Sequence, residues 1–216
     1  MVMNPNVASL VQLMLVTDDH LLAGRDVLAL AHAAVAGGVT SVQLRLKQAS
    51  AREQVGLARA LVAALQVPVL VNDRPDIALA AGAAGVHLGA DDVSVELARR
   101  IAPPGFVIGA SAGSEAEAFA AAGADYWGIG PWRATGTKTE AGDALGAEGF
   151  GRLVAMAGGR PCLAIGAVRP EDAARVREAG GSGMAVASGI LAAADVEAAA
   201  ARYAEAVRRH WRTSDR

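Results

Sequence analysis

The 216-residue chain is predicted to be an α/β protein, a single (βα)8 TIM barrel spanning residues 1–216, and three observations predict it. Short aliphatic runs that end in Gly, Asn, Asp or Thr alternate with Ala-rich amphipathic segments, the pattern of repeated strand and helix units. Eight such units can be counted, which favours closure over the rival flavodoxin-like open sheet. Hydrophobic residues make up 53% of the chain and aromatics 4%, so the core is built from Ala, Val, Leu and Ile. That composition suits a parallel sheet covered by helices on both faces.

Taken in order, the first predicted strand is Gln12 to Thr17, and Asp26 then opens an apolar-periodic helix to Ala36, closed by Gly37-Gly38. The second strand is Ser41 to Arg45. Ser50 with Glu53 forms a capping-box pattern before a helix ending near Leu65. Val67 to Asn72, Gly85 to Gly89 and Phe106 to Ala110 follow as strands three to five, with Gly82 closing the helix between the first two. Strand six is Asp125 to Gly130, preceded by the helix-closing Gly123; Pro161 to Gly166 and Gly183 to Ser188 complete the set, separated by a helix ending at Gly180-Gly181. At roughly 25 residues per unit the barrel is near its minimal size. The segment Pro131 to Gly146 is the one long insertion.

A formal charge of −2 supplies no electrostatic reason for a nucleic-acid or anionic-membrane partner, so functional charge must be local. Cys162 is the only cysteine; an internal disulfide is excluded, and a reducing, cytoplasmic compartment is expected, with the thiol as core filler. The start, Met1 to Ser9, lacks the cationic and apolar segments of a signal peptide, and no apolar run is long enough to span a bilayer. Small-molecule substrates are therefore the expected partners. The sequence leaves a homo-oligomer open.

In such a barrel the chemistry gathers at the carboxyl ends of the strands. Strand two ends in Gln43-Leu44-Arg45-Leu46-Lys47, where a period of two puts Gln43, Arg45 and Lys47 on one side, three donors suited to an anion. Strand three ends in Asn72-Asp73-Arg74-Pro75 and strand four in His87-Leu88-Gly89-Ala90-Asp91-Asp92. Asp73 with Asp91 or Asp92 suits a Mg2+ ion that carries a diphosphate, although Asp73 or Asp92 as helix caps is the alternative. His87 reads equally as a buried structural histidine or a catalytic one, and Ser111 as a hydroxyl donor or a cap for the helix after Gly113. After strand six, Thr135, Thr137 and Lys138 offer hydroxyls and an ammonium to a phosphate in a lid-like loop where Gly136 lets the backbone approach. Trp132 either stacks on a ring or anchors that loop. Strands seven and eight end in Ile165-Gly166-Ala167 and Ala187-Ser188-Gly189, the usual barrel position for a phosphate held by backbone N–H groups. Two anion sites are expected, one with metal at strands two to four and one at strands six to eight.

Gln43-Leu44-Arg45-x-Lys47, Asn72-Asp73-Arg74, Gly85-Val86-His87-Leu88-Gly89-x-x-Asp92, Gly130-Pro131 with Thr135-x-Thr137-Lys138, and Ala185-Val186-x-Ser188 together resemble the thiamine-phosphate synthase family, in order from about Leu15 to about Ile190. The resemblance implies a transferase of thiamine biosynthesis that joins hydroxymethylpyrimidine diphosphate to hydroxyethylthiazole phosphate. Diphosphate would leave first, producing a pyrimidine carbocation that the thiazole nitrogen captures. Carried over, Gln43, Arg45, Lys47, Asn72 and Lys138 would bind the diphosphate, Asp73 and Asp92 would hold Mg2+, and Ser111 would lie near the diphosphate. Thr135, Thr137, Gly166 and the Ala187-Ser188 backbone would hold the thiazole phosphate. Arg45, Lys47, Lys138 and Ser111 form the catalytic set in this reading.

Four positions depart from the resemblance. Leu46 stands where that family commonly has Glu, Gly113 where it has His, Arg133 where it has an aromatic and Ala167 where it has Gly. An Ala forced to positive φ at 167 would cost about 1–2 kcal/mol. The alternatives are a thiazole tautomerase-like enzyme, which resembles the same barrel but uses a His at the position of Gly113, and a non-catalytic protein that binds a thiamine precursor.

Overall fold

The protein was analysed as a computed structural model, which describes residues 7–134 and 143–211. Eight parallel strands close on themselves in sequence order: β1 Leu13–Val16, β2 Ser41–Leu44, β3 Val69–Asn72, β4 Gly85–Leu88, β5 Val107–Ser111, β6 Tyr126–Ile129, β7 Cys162–Ala164 and β8 Gly183–Val186. β8 pairs with β1 to complete the ring, Met14 lying opposite Ala185. All eight predicted strands are present, seven of them shorter than predicted at one or both ends, and at β2 and β7 the chain leaves the ladder as the residues of the mouth begin. The amide of Arg45 turns to the Thr17 hydroxyl at 2.7 Å, so β2 stops at Leu44. Gly166 adopts φ +95° and cannot continue β7. β5 departs the other way, starting one residue later and running on to Ser111.

The helices form where local chemistry dictates. Asp26 accepts the Leu28 and Ala29 amides and starts the helix Val27–Ala36. Ser50 and Glu53 cap one another reciprocally at the head of Ala51–Ala64. Gly82 ends Pro75–Ala81 in the left-handed conformation, φ +71°, that a Cβ would disfavour.

The strands separate two cores. Outward residues such as Val42, Leu44, Val71, Val86 and Ile108 pack beneath the helices, while Met14, Val16, Leu70, Val107, Tyr126, Leu163 and Ala185 fill the barrel interior. Gly109 exists to admit the Tyr126 ring, since an added Cβ would lie 2.1 Å from its Cζ. The amino end of the barrel is plugged by the helix Val7–Leu10, whose Leu10 carbonyl accepts from the Ser41 hydroxyl at 2.7 Å and the Thr40 hydroxyl at 3.1 Å. The opposite, carboxyl end is therefore where a ligand can enter. Cys162 is fully buried, and burial pushes its thiol pKa up to about 12, consistent with core filler. Among the described residues no helix is long and apolar enough to cross a membrane.

Candidate active site

A cavity of about 500 Å³ opens at the carboxyl ends of the strands, with Arg45, His87, Ser111, Ala167, Ala187 and Ser188 among its lining residues. On its β1–β4 side the groups are charged and hold one another. The Thr17 hydroxyl donates to the Arg45 carbonyl at 3.0 Å as well as accepting the Arg45 amide. Buried Asp18 accepts from the Arg45 guanidinium at 3.1 Å and from the His20 amide at 3.0 Å, so the arginine head is aimed by a carboxylate that is itself fixed. Asp19 accepts the Lys47 and Gln48 amides at 2.8 and 3.3 Å. The Lys47 ammonium, half exposed, reaches Asp73 at 3.8 Å.

Asp73 has φ +67°, unusual for a residue with a side chain, and its amide donates to the His87 carbonyl at 2.8 Å. Burial pushes its carboxyl pKa up to about 6, reinforced by the hydrogen bond and like charge of Asp92 and opposed by Lys47 and Arg45. Neither carboxylate caps a helix. The helix Pro75–Ala81 has Arg74 at its N-cap position and no side-chain cap, Ser94 caps the helix after Asp92, and Asp92 instead accepts the Gly89 amide at 2.6 Å. Asp73, whose charged form is disfavoured by burial and by the nearby Asp92, makes with it a pair of hard-oxygen donors suited to a divalent cation. Among the described residues no cluster of three or more metal-ligating side chains exists, so such an ion would complete its shell from substrate and water. Asn72 ends β3 directly opposite His87 in the ladder.

The floor of the cavity is a hydrogen-bonded chain. His87 meets the Tyr126 hydroxyl through Nδ1 at 3.0 Å and the Ser111 hydroxyl through Nε2 at 3.2 Å. Burial holds the Tyr126 hydroxyl well above its ordinary pKa, so it stays neutral, and Gln43 hydrogen-bonds to it. Gln43 also donates to the Met14 sulfur at 3.4 Å. The structure thus sets Gln43 in the barrel interior rather than beside Lys47 on the rim. Ser111 faces the cavity, and the cap of the following helix falls to Ser114, which accepts the Glu117 amide at 3.2 Å.

The β6–β8 side is built from backbone. Gly166 and Ala167 both take positive φ, +95° and +49°, and a Cβ on Gly166 would lie 2.7 Å from the Pro131 Cα. The Trp132 and Arg133 amides donate to the Ile165 and Gly166 carbonyls at 2.7 and 3.0 Å, continuing the β6–β7 pairing into the loops. Trp132 is buried edge-on to Phe150 at 5.5 Å and so anchors its loop. Ala187, Ser188 and Gly189 line the same side, where a Cβ on Gly189 would strike the Tyr203 hydroxyl at 2.2 Å. Thr135, Thr137 and Lys138 lie outside the described residues.

Residues 13–190 match the family described as thiamine monophosphate synthase. The chain belongs to that family. It is 47% identical to the thiamine-phosphate synthase of Azorhizobium caulinodans, covering 87% of this chain and 91% of that one, and 46% identical to that of Xanthobacter autotrophicus, covering 90% and 94%. Among solved structures it is similar to the thiamine phosphate pyrophosphorylase from Pyrococcus furiosus, with a TM-score of 0.84, 33% identity and coverage of 95% and 100%. With that membership, the expected transferase of thiamine biosynthesis on a TIM barrel holds.

Several site residues were not anticipated from sequence. Thr17, Asp18 and Asp19 follow the first aliphatic run, and their place at a strand's carboxyl end is the sequence signal that marks them. Tyr126 is inward-facing on β6 and reads as core in any hydropathy pattern. Its meeting with His87 and Gln43 depends on barrel closure.

Proposed function

We propose that this protein condenses hydroxymethylpyrimidine diphosphate with hydroxyethylthiazole phosphate to give thiamine phosphate and diphosphate. The observation that carries the proposal is one cavity flanked by two differently built anion sites, in a chain of this family: charged side chains with paired carboxylates at β2–β4, and a backbone cradle at β7–β8. Arg45, Lys47 and Asn72 bind the diphosphate, and Lys138, outside the described residues, is proposed to join them. Asp73 and Asp92 would hold Mg2+. Held by those carboxylates, the ion would supply positive charge to offset the charge that accumulates on the diphosphate as the C–O bond breaks.

The remaining work is done by the protein's own groups. Arg45 is pre-oriented by Asp18, so little reorganisation opposes charge development on the leaving group. Ser111, held by His87, presents its hydroxyl beside the departing diphosphate. Gln43 supports the Tyr126–His87 pair from below, and its buried position favours that role over a direct diphosphate contact. Gly166, the Ala187-Ser188 backbone and the Thr135 and Thr137 hydroxyls receive the thiazole phosphate and bring its nitrogen to the pyrimidine carbocation; proximity then replaces an encounter in solution. No general base is required. The thiazole tautomerase alternative has no support at Gly113, where an added Cβ would lie 2.7 Å from the Gly130 carbonyl oxygen. A cytoplasmic setting accords with the single buried thiol.

Mixing the protein with both substrates and Mg2+ should yield thiamine phosphate and diphosphate in equal amounts, and chelation of the metal should abolish both. Failure to form either product under saturating substrate would refute the assignment.

A further inference from the structure

We infer that the Arg133–Asp172 ion pair is a positioning device for the β7 loop: it holds Ala167 in its left-handed conformation and thereby shapes the backbone cradle for the thiazole phosphate. The inference rests on the function proposed above.

Both terminal nitrogens of Arg133 donate to the two carboxylate oxygens of Asp172, and Nη1 donates as well to the Ala167 carbonyl at 3.2 Å. The planar guanidinium fork meets both carboxylate oxygens and still reaches the neighbouring carbonyl, which a single ammonium point charge matches less well. Asp172 is 2% exposed and is fixed from its own side by the Arg169 amide at 2.8 Å. Burial alone would raise its carboxyl pKa, but the hydrogen bonds from Arg133 and the Arg169 amide outweigh that and hold it below the ordinary range. The anchor is therefore a full negative charge at any pH near neutrality.

Ala167 needs such an anchor. At φ +49° its Cβ crowds its own backbone, and a free alanine would relax toward negative φ. The next residue is held too: the Val168 carbonyl accepts from the buried Tyr203 hydroxyl at 3.1 Å. The loop is thus fastened at Ala167, Val168 and Asp172 in succession. Arg133 works from the β6 side, alongside the Trp132 side chain that also hydrogen-bonds to Asp172, and its amide donates to the Gly166 carbonyl. It ties together the two loops that flank the proposed phosphate cradle, with Ala167 and Val168 among the cavity-lining residues.

The test compares Arg133→Ala and Arg133→Lys in the protein as it stands and in an Ala167→Gly background, because glycine takes positive φ unaided. Arg133→Lys keeps Asp172 neutralised, so it guards against simple unfolding. In the Ala167 protein, Arg133→Ala should raise KM for the thiazole phosphate about tenfold and Arg133→Lys about threefold, with KM for the pyrimidine diphosphate changing less than about twofold. In the Ala167→Gly background the Arg133→Ala effect should shrink to less than about threefold. Equal changes in both KM values, an undiminished effect in the glycine background, or a fall in Tm with kinetics unaltered would each overturn the inference. Should the unmodified protein make no thiamine phosphate, the proposed function fails on that result alone. Calorimetric binding of the thiazole phosphate then still reads the clamp: affinity about threefold weaker in Arg133→Lys supports it, while unchanged affinity, or no binding to the unmodified protein, overturns it.

Discussion

The two sides of the barrel mouth, proposed above as two anion sites, are built by opposite means. At β2–β4, Arg45, Lys47, Asp73 and Asp92 are charged side chains, paired across strand ends as Arg45 with Asp18 and Lys47 with Asp73 or held locally as Asp92 is by the Gly89 amide. At β7–β8 the lining residues are small, and shape comes from positive φ at Gly166 and Ala167 and from glycines that neighbouring groups crowd closely. The first arrangement stores charge and can host a metal. The second stores conformation and can discriminate by fit. A reaction that expels diphosphate while merely gripping a monophosphate has reason to divide its site in this way.

The comparison breaks most sharply at the charged side. Asp73→Asn keeps the size of the side chain but removes one of two carboxylates, and turnover with Mg2+ should fall by about 10²–10³ while KM for the thiazole phosphate stays nearly constant. A loss shared equally by both substrates would mean that the two sides are not separate.

A smaller effect comes from pH. The Asp73 carboxyl, raised to about 6 first by burial and then by Asp92, keeps its proton at a pH where the unfolded chain has lost it. It therefore contributes stability that is complete below the ordinary carboxylate range and is lost as pH rises through about 6. Activity runs the other way, since a metal needs the ionised form: kcat/KM measured at subsaturating Mg2+ should drop about tenfold per pH unit on the acid side of that value. Asp92→Asn removes the like charge and should move the acid limb to lower pH. A limb that stays in place would assign it to another group.

The smallest effect is ionic strength. Lys47 and Asp73 are partly exposed, so added salt should raise KM for the pyrimidine diphosphate about two- to threefold between 0.05 and 0.3 M, with less change for the thiazole phosphate. Equal salt sensitivity would mean that the two sides bind their anions by the same means.

Much of this division was legible in the chain. The eight strands follow from aliphatic runs of the right length, the helices Val27–Ala36 and Ala51–Ala64 from Asp26 and the Ser50–Glu53 pair, and the placing of the polar strand ends at one mouth from the parallel order alone. Other features were not legible. Gln43 alternates with Leu44 in the sequence as Arg45 does, yet one residue is enclosed by the barrel and the other emerges from it. Trp132 carries both an apolar ring and a donor, and only its contact with Phe150 decides between a stacking platform and an anchor. Arg133 and Asp172 are 39 residues apart, and no local pattern joins them.

Strand and helix period, caps, and the residue types that arrive at each strand end are all set by neighbours along the chain. Those interactions span a few residues, so their signal survives in one dimension. The tertiary structure alone decided how far each side chain sits from the rim, that Asp18 aims Arg45, that Asp73 and Asp92 meet, and that Ala167 can remain left-handed. Each of these depends on groups brought together by closure of β8 on β1, where distance is set by the barrel and not by separation along the chain.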